Sequence, residues 1–427
     1  MVGLLLVVLA SPGRASPGEL DGTFGTGGVL TTNFGGTYDW AYAGARQPDR
    51  RILAAGVSNA HGTYDFALAR YTADRSLDPT FGKGGMVTTD FGESYDWGYA
   101  MALHPDGAIV VGGVSDQGGS RNLALARYLS NGTLDATFGG DGLVTEERRP
   151  LTTDVVRALA IQPDGRIVVA GVTFEDMASV EPHGDFIVAR YLPDGSADPT
   201  FGVGGVVTTG FSEGSYDDAY TLVVQPDRRI LVGGYSTTGG GRGVLFGADN
   251  LALARYTPEG LPDMSFGRQG QVVHDAGSLD EEIRSMALTP EGSIVAGGFV
   301  NGEQGGDVLV ARFNPQGGLD PNFGRDGLSV TDLSPHSERL TAVKLQPDGR
   351  IVAAGDAGRK TTLADIAVLR YDPNGHLDED FGAGGVATAD LDGRQDKVGA
   401  LILQDDGKVV TVGSSEHNFA VARFNGS

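Results

Sequence analysis

The chain has 427 residues, with 68 glycines, 19 prolines, no cysteine and a formal net charge of −23 from 32 Lys and Arg against 55 Asp and Glu. The missing cysteines exclude disulfides, thiolate metal sites and a cysteine nucleophile, and the acidic balance repels a phosphate backbone, so no nucleic-acid partner is expected. At 40% hydrophobic and 20% charged residues there is material for a packed core, and this much glycine without a Gly-X-Y period reads as tight turns between short strands.

Val2 to Ala10 form an apolar run too short to span a bilayer. Gly13 and Ala15 stand at the −3 and −1 positions of a cleavage site. The pattern predicts a secretory signal peptide over residues 1–15, then one domain over 16–427 in a secreted, periplasmic or cell-surface protein. One feature departs from it: no Lys or Arg precedes the apolar run. No other stretch approaches membrane-spanning length, so no membrane span is expected.

From Leu20 onward the chain repeats itself. A Phe-Gly pair recurs at Phe24, Phe81, Phe138, Phe201, Phe266, Phe323 and Phe381. An Arg followed by an aromatic recurs at Arg70, Arg127, Arg190, Arg255, Arg312, Arg370 and Arg423. A Gln-Pro-Asp-Gly turn or its variant is centred on Asp49, Asp106, Asp164, Asp227, Glu291, Asp348 and Asp406. Three independent anchors, each present seven times, define seven units.

Residues 154–209 show what one unit holds. Val155 to Gln162 and Arg166 to Val172 read as strands joined by the turn Pro163-Asp164-Gly165. Asp185 to Tyr191 alternates as a third strand, and Gly205 to Thr209 is a fourth. No stretch has a sustained helical period. Four antiparallel strands per unit predict an all-β, seven-bladed β-propeller. The chain opens on a fourth-strand motif and ends on a third-strand motif, so residues 27–32 are expected beside 418–424, completing the last blade.

The strings LDxTFGxxGxVxT, QPDGxIxxAG and DFALARY resemble the delta-60 repeat family of bacterial propeller proteins. The resemblance runs from about Leu20 to the end and holds in all seven units. It implies a propeller in an exported or surface-associated bacterial protein, with no assigned activity and no catalytic residues to carry over. The departures are Ala197-Asp198 and Pro262-Asp263 in place of Leu-Asp, and the turn Thr289-Pro290-Glu291-Gly292.

A residue present in every unit most simply serves the unit, whereas a binding site needs residues that differ. The repeated Arg and the repeated Asp21, Asp78, Asp135, Asp198, Asp263, Asp320 and Asp378 are therefore expected to pair as scaffold. The repeated Phe is expected to fill space between blades. A further acid leads each innermost strand: Asp39, Asp96, Asp154, Asp217, Glu281, Glu338 and Asp396. Seven carboxylates ringing a channel mouth need backbone hydrogen bonds, protons or a cation. They are the candidate metal ligands, with calcium the fitting ion; no other cofactor is indicated.

Aromatics flank these acids in Tyr38-Asp39-Trp40, Tyr95-Asp96-Trp97 and Tyr216-Asp217. These eight residues are the candidate binding set, suited to stacking on sugar rings, against the alternative that the rings only fill gaps. Two long connections, 173–184 and 236–249, are candidate contact loops for a protein partner. Gly210-Phe211-Ser212-Glu213-Gly214 matches G-x-S-x-G but lacks the helix a nucleophile elbow needs. Gly82-Lys83 and Gly407-Lys408 lack the phosphate-loop spacing. Scattered histidines, His61, His183, His336 and His417 among them, show no H-x-x-x-H, and Asp390-Leu391-Asp392-Gly393 opens like a calcium loop without its later Glu.

The expected function is a non-enzymatic exported propeller that recognises or assembles through its variable face, with an extracellular glycan or protein as partner. The alternative is a metal-dependent propeller hydrolase or lactonase with a cation on the channel-mouth acids, an idea raised by fold analogy.

Overall fold

The computed structural model describes residues 16–426 except 74–75, 93–94, 118–119, 147–151, 176–182, 239–247, 278–279, 303–304, 359–362 and 392. The expected signal segment, most of both long connections and Asp392 lie outside the described residues.

The fold is all-β: 28 strands and, among the described residues, no helix. They group into antiparallel sets of four, paired in chain order as first, second, third and fourth strand. In the third unit these are Thr152–Ile161, Ile167–Glu175, Gly184–Tyr191 and Val206–Thr209. Two parallel contacts join neighbouring units among the described residues, Asp249 with Asp280 between the fourth and fifth and the isolated bridge Gly184 with Tyr216 between the third and fourth. The last set draws on both chain ends. Asp396–Leu403, Val409–Ser415 and Asn418–Phe424 are completed by Val29–Thr32, with Val29 opposite Ala422 and Thr32 opposite Phe419. This is the pairing the phase of the repeat predicts.

Each sheet is covered on both faces by its neighbours. In Ile52–Ser58 every residue is buried, so the strand reads as a continuous apolar run rather than an alternation. Among the described residues eight apolar clusters result, each shared between neighbouring sheets. Ala41, Ile52 and Ala54 of the first unit pack on Ile402, Val410 and Val412 of the last. The first strands neighbour one another in sequence, and Asp396–Leu403 neighbours Asp39–Arg46, so the succession returns to its start.

The repeated Arg and Asp pair in all seven units. The Nε–Oδ2 distances are 2.9 Å for Arg70–Asp78, 3.1 Å for Arg127–Asp135, 2.7 Å for Arg190–Asp198 and Arg255–Asp263, 2.8 Å for Arg312–Asp320 and Arg370–Asp378, and 2.8 Å for Arg423–Asp21. The same guanidinium donates to a backbone carbonyl of the following unit, as Arg127 does to Pro193 at 2.7 Å and Arg255 to Pro315 at 2.6 Å. In six units it lies over the repeated Phe, 4.5–4.8 Å from the ring centre. The other oxygen of the Asp accepts from the turn that follows it, as Asp198 does from the Thr200 N–H at 2.9 Å. Burial works against the Asp198 charge, but Thr200 and the guanidinia of Arg190 and Arg166 hold its carboxyl down at about 2. The repeated residues are scaffold.

Candidate functional site at the first-strand bulges

The seven strand-leading acids are buried, from 0% to 2% exposed. Asp39, Asp96, Asp217 and Asp396 each accept the backbone N–H of Phe34, Phe91, Phe211 and Leu391, at 2.7–2.9 Å, and Glu281 accepts that of Ala276 at 2.8 Å. Each donor sits in the connection arriving from the preceding unit, so the acid pins the crossover to the strand it enters. Burial first of all pushes three of these carboxyls up, Asp217 and Asp396 to about 6 and Glu338 to about 7.

This placement corrects one expectation. Asp39, Asp96 and Asp217 present no surface to a ligand and drop out of the candidate binding set. None of the seven acids lines the cavity enclosed by the first strands. The reason is the period of two along a strand: the leading side chain turns into the crossover, and the next one faces the opposite side.

That opposite side carries the site. Each first strand has a register shift, between Ala41 and Ala43, Gly98 and Ala100, Val156 and Ala158, Ala219 and Thr221, Ile283 and Ser285, Leu340 and Ala342, and Val398 and Ala400. The bulged residues are Tyr42, Tyr99, Arg157, Tyr220, Arg284, Thr341 and Gly399. All seven line one cavity of about 350 Å3, together with Trp40, Arg339, Asp356 and Lys397. A bulge re-aims a side chain, and here it does so six times toward one point, the seventh position being Gly399.

The bulge has a cause in the neighbouring strand. The glycine of the repeated second-strand motif lies against the carbonyl of the residue after the leading acid. A Cβ at Gly56, Gly113, Gly171, Gly234, Gly298, Gly355 or Gly413 would stand 1.7–1.9 Å from that oxygen. Only glycine lets the bulged strand approach this closely.

The wall is aromatic on one side and cationic on the other. Tyr38 stacks on Trp40 with centroids 5.1 Å apart and planes 5° from parallel. Trp97 lies 5.1 Å from Tyr64, 5.9 Å from Tyr38 and 6.4 Å from Tyr42, and Tyr42 lies 5.2 Å from Tyr99. Tyr95 is 55% exposed at the edge of this cluster, 5.7 Å from Tyr64. Tyr216 belongs to a second group, 6.2 Å from both Phe174 and Tyr235. Arg157 joins the two groups, with its guanidinium 5.2 Å from the Tyr99 and Tyr220 rings alike. Arg284 continues the series over Tyr220 at 3.8 Å, and Arg339 lies 5.0 Å from Phe299. Of the aromatics singled out in the sequence, Trp40 lines the cavity, Tyr38 and Trp97 buttress its wall, and Tyr95 and Tyr216 sit further out.

Arg157 pairs with Asp218 at 3.2 Å, Lys397 with Asp356 at 2.6 Å, and Arg284 with Glu282. Burial disfavours the Arg157 charge, but Asp218 and the surrounding phenols outweigh it and raise its pKa. Burial pushes the phenols of Tyr42, Tyr99 and Tyr220 above their ordinary range, so they keep their protons and serve as donors rather than bases. Trp40 Nε1 and Arg157 Nε are buried donors with no hydrogen-bond partner among the described residues. The arrangement suits a ligand with a ring face to stack and an anionic group to pair. Ser212 of the G-x-S-x-G string sits in a crossover, where its N–H reaches Ser215 Oγ at 3.2 Å. Ser215 in turn serves Asp217 at 2.8 Å.

These features place the chain among the β-propellers. The beta-propeller domain of unknown function DUF5122 matches residues 47–81, 104–138, 162–201, 225–266, 290–323 and 346–381, more than half of the chain, and the chain belongs to that family. Each matched stretch runs from a hairpin turn to the next Phe-Gly. The corresponding stretch of the last set is split between the two chain ends, which accounts for six contiguous matches beside seven four-stranded sets. No match was found among curated proteins. Among solved structures, the chain is similar to a PL25 ulvan lyase, with a TM-score of 0.54 and 11% identity over 93% of this chain and 95% of that one. It is also similar to the polysaccharide lyase Uly1, at 0.52 and 10% over 91% and 90%. A catalytically inactive virginiamycin B lyase from Staphylococcus aureus gives 0.50 and 8% over 92% and 98%. At such identities the likeness concerns the fold alone. No helix among the described residues is long and apolar enough to cross a membrane.

Proposed function

We propose that the chain is an exported, non-enzymatic recognition module, a seven-bladed propeller over residues 16–427 whose N-terminal strand completes the last blade. Residues 1–15 would be its cleaved signal peptide. Its ligand is an acidic saccharide held in the cavity between the first strands.

One observation carries this reading. Seven units share one backbone bulge, yet place Tyr, Arg, Thr or Gly on it, and all seven positions meet in one cavity. Trp40, Tyr42, Tyr99 and Tyr220 offer ring faces and phenol donors for sugar faces and hydroxyls. Arg157, Arg284, Arg339 and Lys397, set against the carboxylates of Asp218, Glu282 and Asp356, leave the wall with an excess of positive charge inside a protein of net charge −23. The volume is at the small end of ligand pockets, about 300–1,000 Å3. Phenols that hold their protons supply binding contacts and no general base. The hydrolase alternative placed a cation on the strand-leading acids, but these stand apart from the cavity wall.

Titration calorimetry with a uronate- or sulfate-bearing oligosaccharide and its neutral parent tests the reading. The acidic ligand is expected to bind at least about tenfold more tightly, roughly 1.4 kcal/mol, and Trp40→Ala or Arg284→Ala to lose about as much. Equal affinity for both sugars, or affinity indifferent to both substitutions, would overturn it.

A further inference from the structure

The crossovers between units differ in one respect that the strand-leading acids alone do not reveal. Each brings together three positions: the leading acid, the residue after the preceding fourth strand, and a polar residue on the preceding third strand. Where Asp39 leads, the other two are Asn33 and Asn418, and their amides bond each other at 2.8 Å. Where Glu338 leads, the same two positions are Asp332 and Asp307. The three carboxylates each offer an oxygen within 4.8 Å of the other two. Two amides can satisfy each other, whereas two carboxylates can only repel.

Glu338 adds an independent observation. Its side chain is fully buried, and Ser334 Oγ reaches its Oε1 at 2.5 Å. Its Oε2 has no hydrogen-bond partner among the described residues. Oδ1 of Asp39, Asp217 and Asp396 is likewise without a partner among the described residues, but each of these Asp faces a hydroxyl across the sheet, Ser58, Ser236 and Ser415. Glu338 faces Ala357, which has none to offer. A buried carboxylate oxygen without a donor, in a cluster of three acids, lacks a positive partner. Asp332 is exposed, so the cluster opens to solvent and an ion can enter.

We propose that Asp307, Asp332 and Glu338 bind a divalent, oxygen-seeking cation, calcium by their chemistry, which ties the fifth unit to the sixth. Oxygen ligands at about 2.3–2.6 Å from one ion lie up to about 5 Å from each other, matching the observed spacing. The role is structural, since the cluster is not part of the wall of the saccharide cavity. It is independent of the recognition proposed above. The same positions hold Asp65, Asp90 and Asp96 at one other crossover, and Asp365, Asp390 and Asp396 at another.

The test uses the full chain stripped with EDTA and titrated with calcium chloride. Asp90→Asn and Asp390→Asn are built in first, to silence the two similar clusters. One equivalent of calcium is expected to remain, with a dissociation constant of about 10−4–10−3 M, and Asp332→Asn added to this background removes it. Asp275→Asn, an exposed acid at the crossover led by Glu281, leaves the equivalent in place. Thermal unfolding supplies a second readout. In EDTA the chain with Asp332→Asn melts at or above its parent, because a repulsion is gone. In about 5 mM calcium it melts below its parent. No bound calcium in the parent, an equivalent that survives Asp332→Asn, or a melting order that does not invert would each overturn the proposal.

Discussion

The end of the third strand and the bulge of the first strand repeat equally often but differ in what they repeat. At the third strand, backbone and side chain both recur: Arg, its Asp, and the Phe beneath it in six of the seven pairs. At the bulge only the backbone recurs, enforced by a glycine next door, while the side chain runs Tyr, Tyr, Arg, Tyr, Arg, Thr, Gly. Identical side chains serve each unit separately. Different side chains on an identical backbone converge on one point and form a site with a direction. Repetition of conformation without repetition of chemistry is thus the feature on which the proposed recognition site rests.

The strongest test of the contrast removes one scaffold cation. Arg127→Met leaves Asp135 buried without its partner and frees the Pro193 carbonyl, which costs about 4 kcal/mol. The urea midpoint should fall accordingly, while saccharide affinity at the far end of the strand stays unchanged.

A substitution at the bulge should do the reverse as well as destabilise. Gly171→Ala drives a Cβ into the Val155 carbonyl, 1.8 Å away, so the bulge at Arg157 must shift. Stability is expected to drop by about 3 kcal/mol, and ligand affinity should fall even in the molecules that remain folded.

The two regions also respond oppositely to acid. Asp217 at the crossover is held up at about 6 by burial, so its folded form keeps a proton that the unfolded chain has released. Stability therefore rises as pH falls from about 7 to 4, by on the order of 2 kcal/mol for this group, and Asp217→Asn flattens that rise. Asp198 in the scaffold is held down at about 2, so its contribution is complete above the ordinary Asp range and is lost as pH falls from there toward 2. Unfolding followed by circular dichroism across this range should show a maximum between the two windows.

The smallest expected effect lies on the hairpin turns. Most carry glycine in the left-handed conformation, Gly165 at φ 84° for one, but Arg228 occupies it at φ 69°. Arg228→Gly should raise stability by about 0.5–1 kcal/mol, read as a small rise in melting temperature.

The strands, their order in each unit and the Arg–Asp pairing were legible because each follows from a local period or a fixed spacing. The partnership of Val29–Thr32 with the C-terminal strand followed from the phase of the repeat alone. The site was only half legible. Trp40 was singled out for its aromatic character, but Asp39 beside it was given the same role, because a string of letters does not say which side of a strand faces water. Arg157, Tyr220 and Arg284 carry no such signal in their own letters. Their common position depends on a bulge whose cause, a glycine, lies on another strand. The signal was available all the same: three residues after each leading acid, the aligned units disagree.

The pairing of Val29–Thr32 with Asn418–Phe424 also has a consequence in time. Asp21 meets Arg423 across almost the whole length of the chain. A polypeptide made from its N-terminus carries Val29–Thr32 unpartnered until Asn418–Phe424 emerge. Every internal unit can find its four strands as it appears, but the sheet that joins beginning to end cannot form early. Asn418–Phe424 therefore act as the fastener: without them Val29–Thr32 would have no strand to pair with, and Asp396–Leu403 with Val409–Ser415 would be left as a bare hairpin.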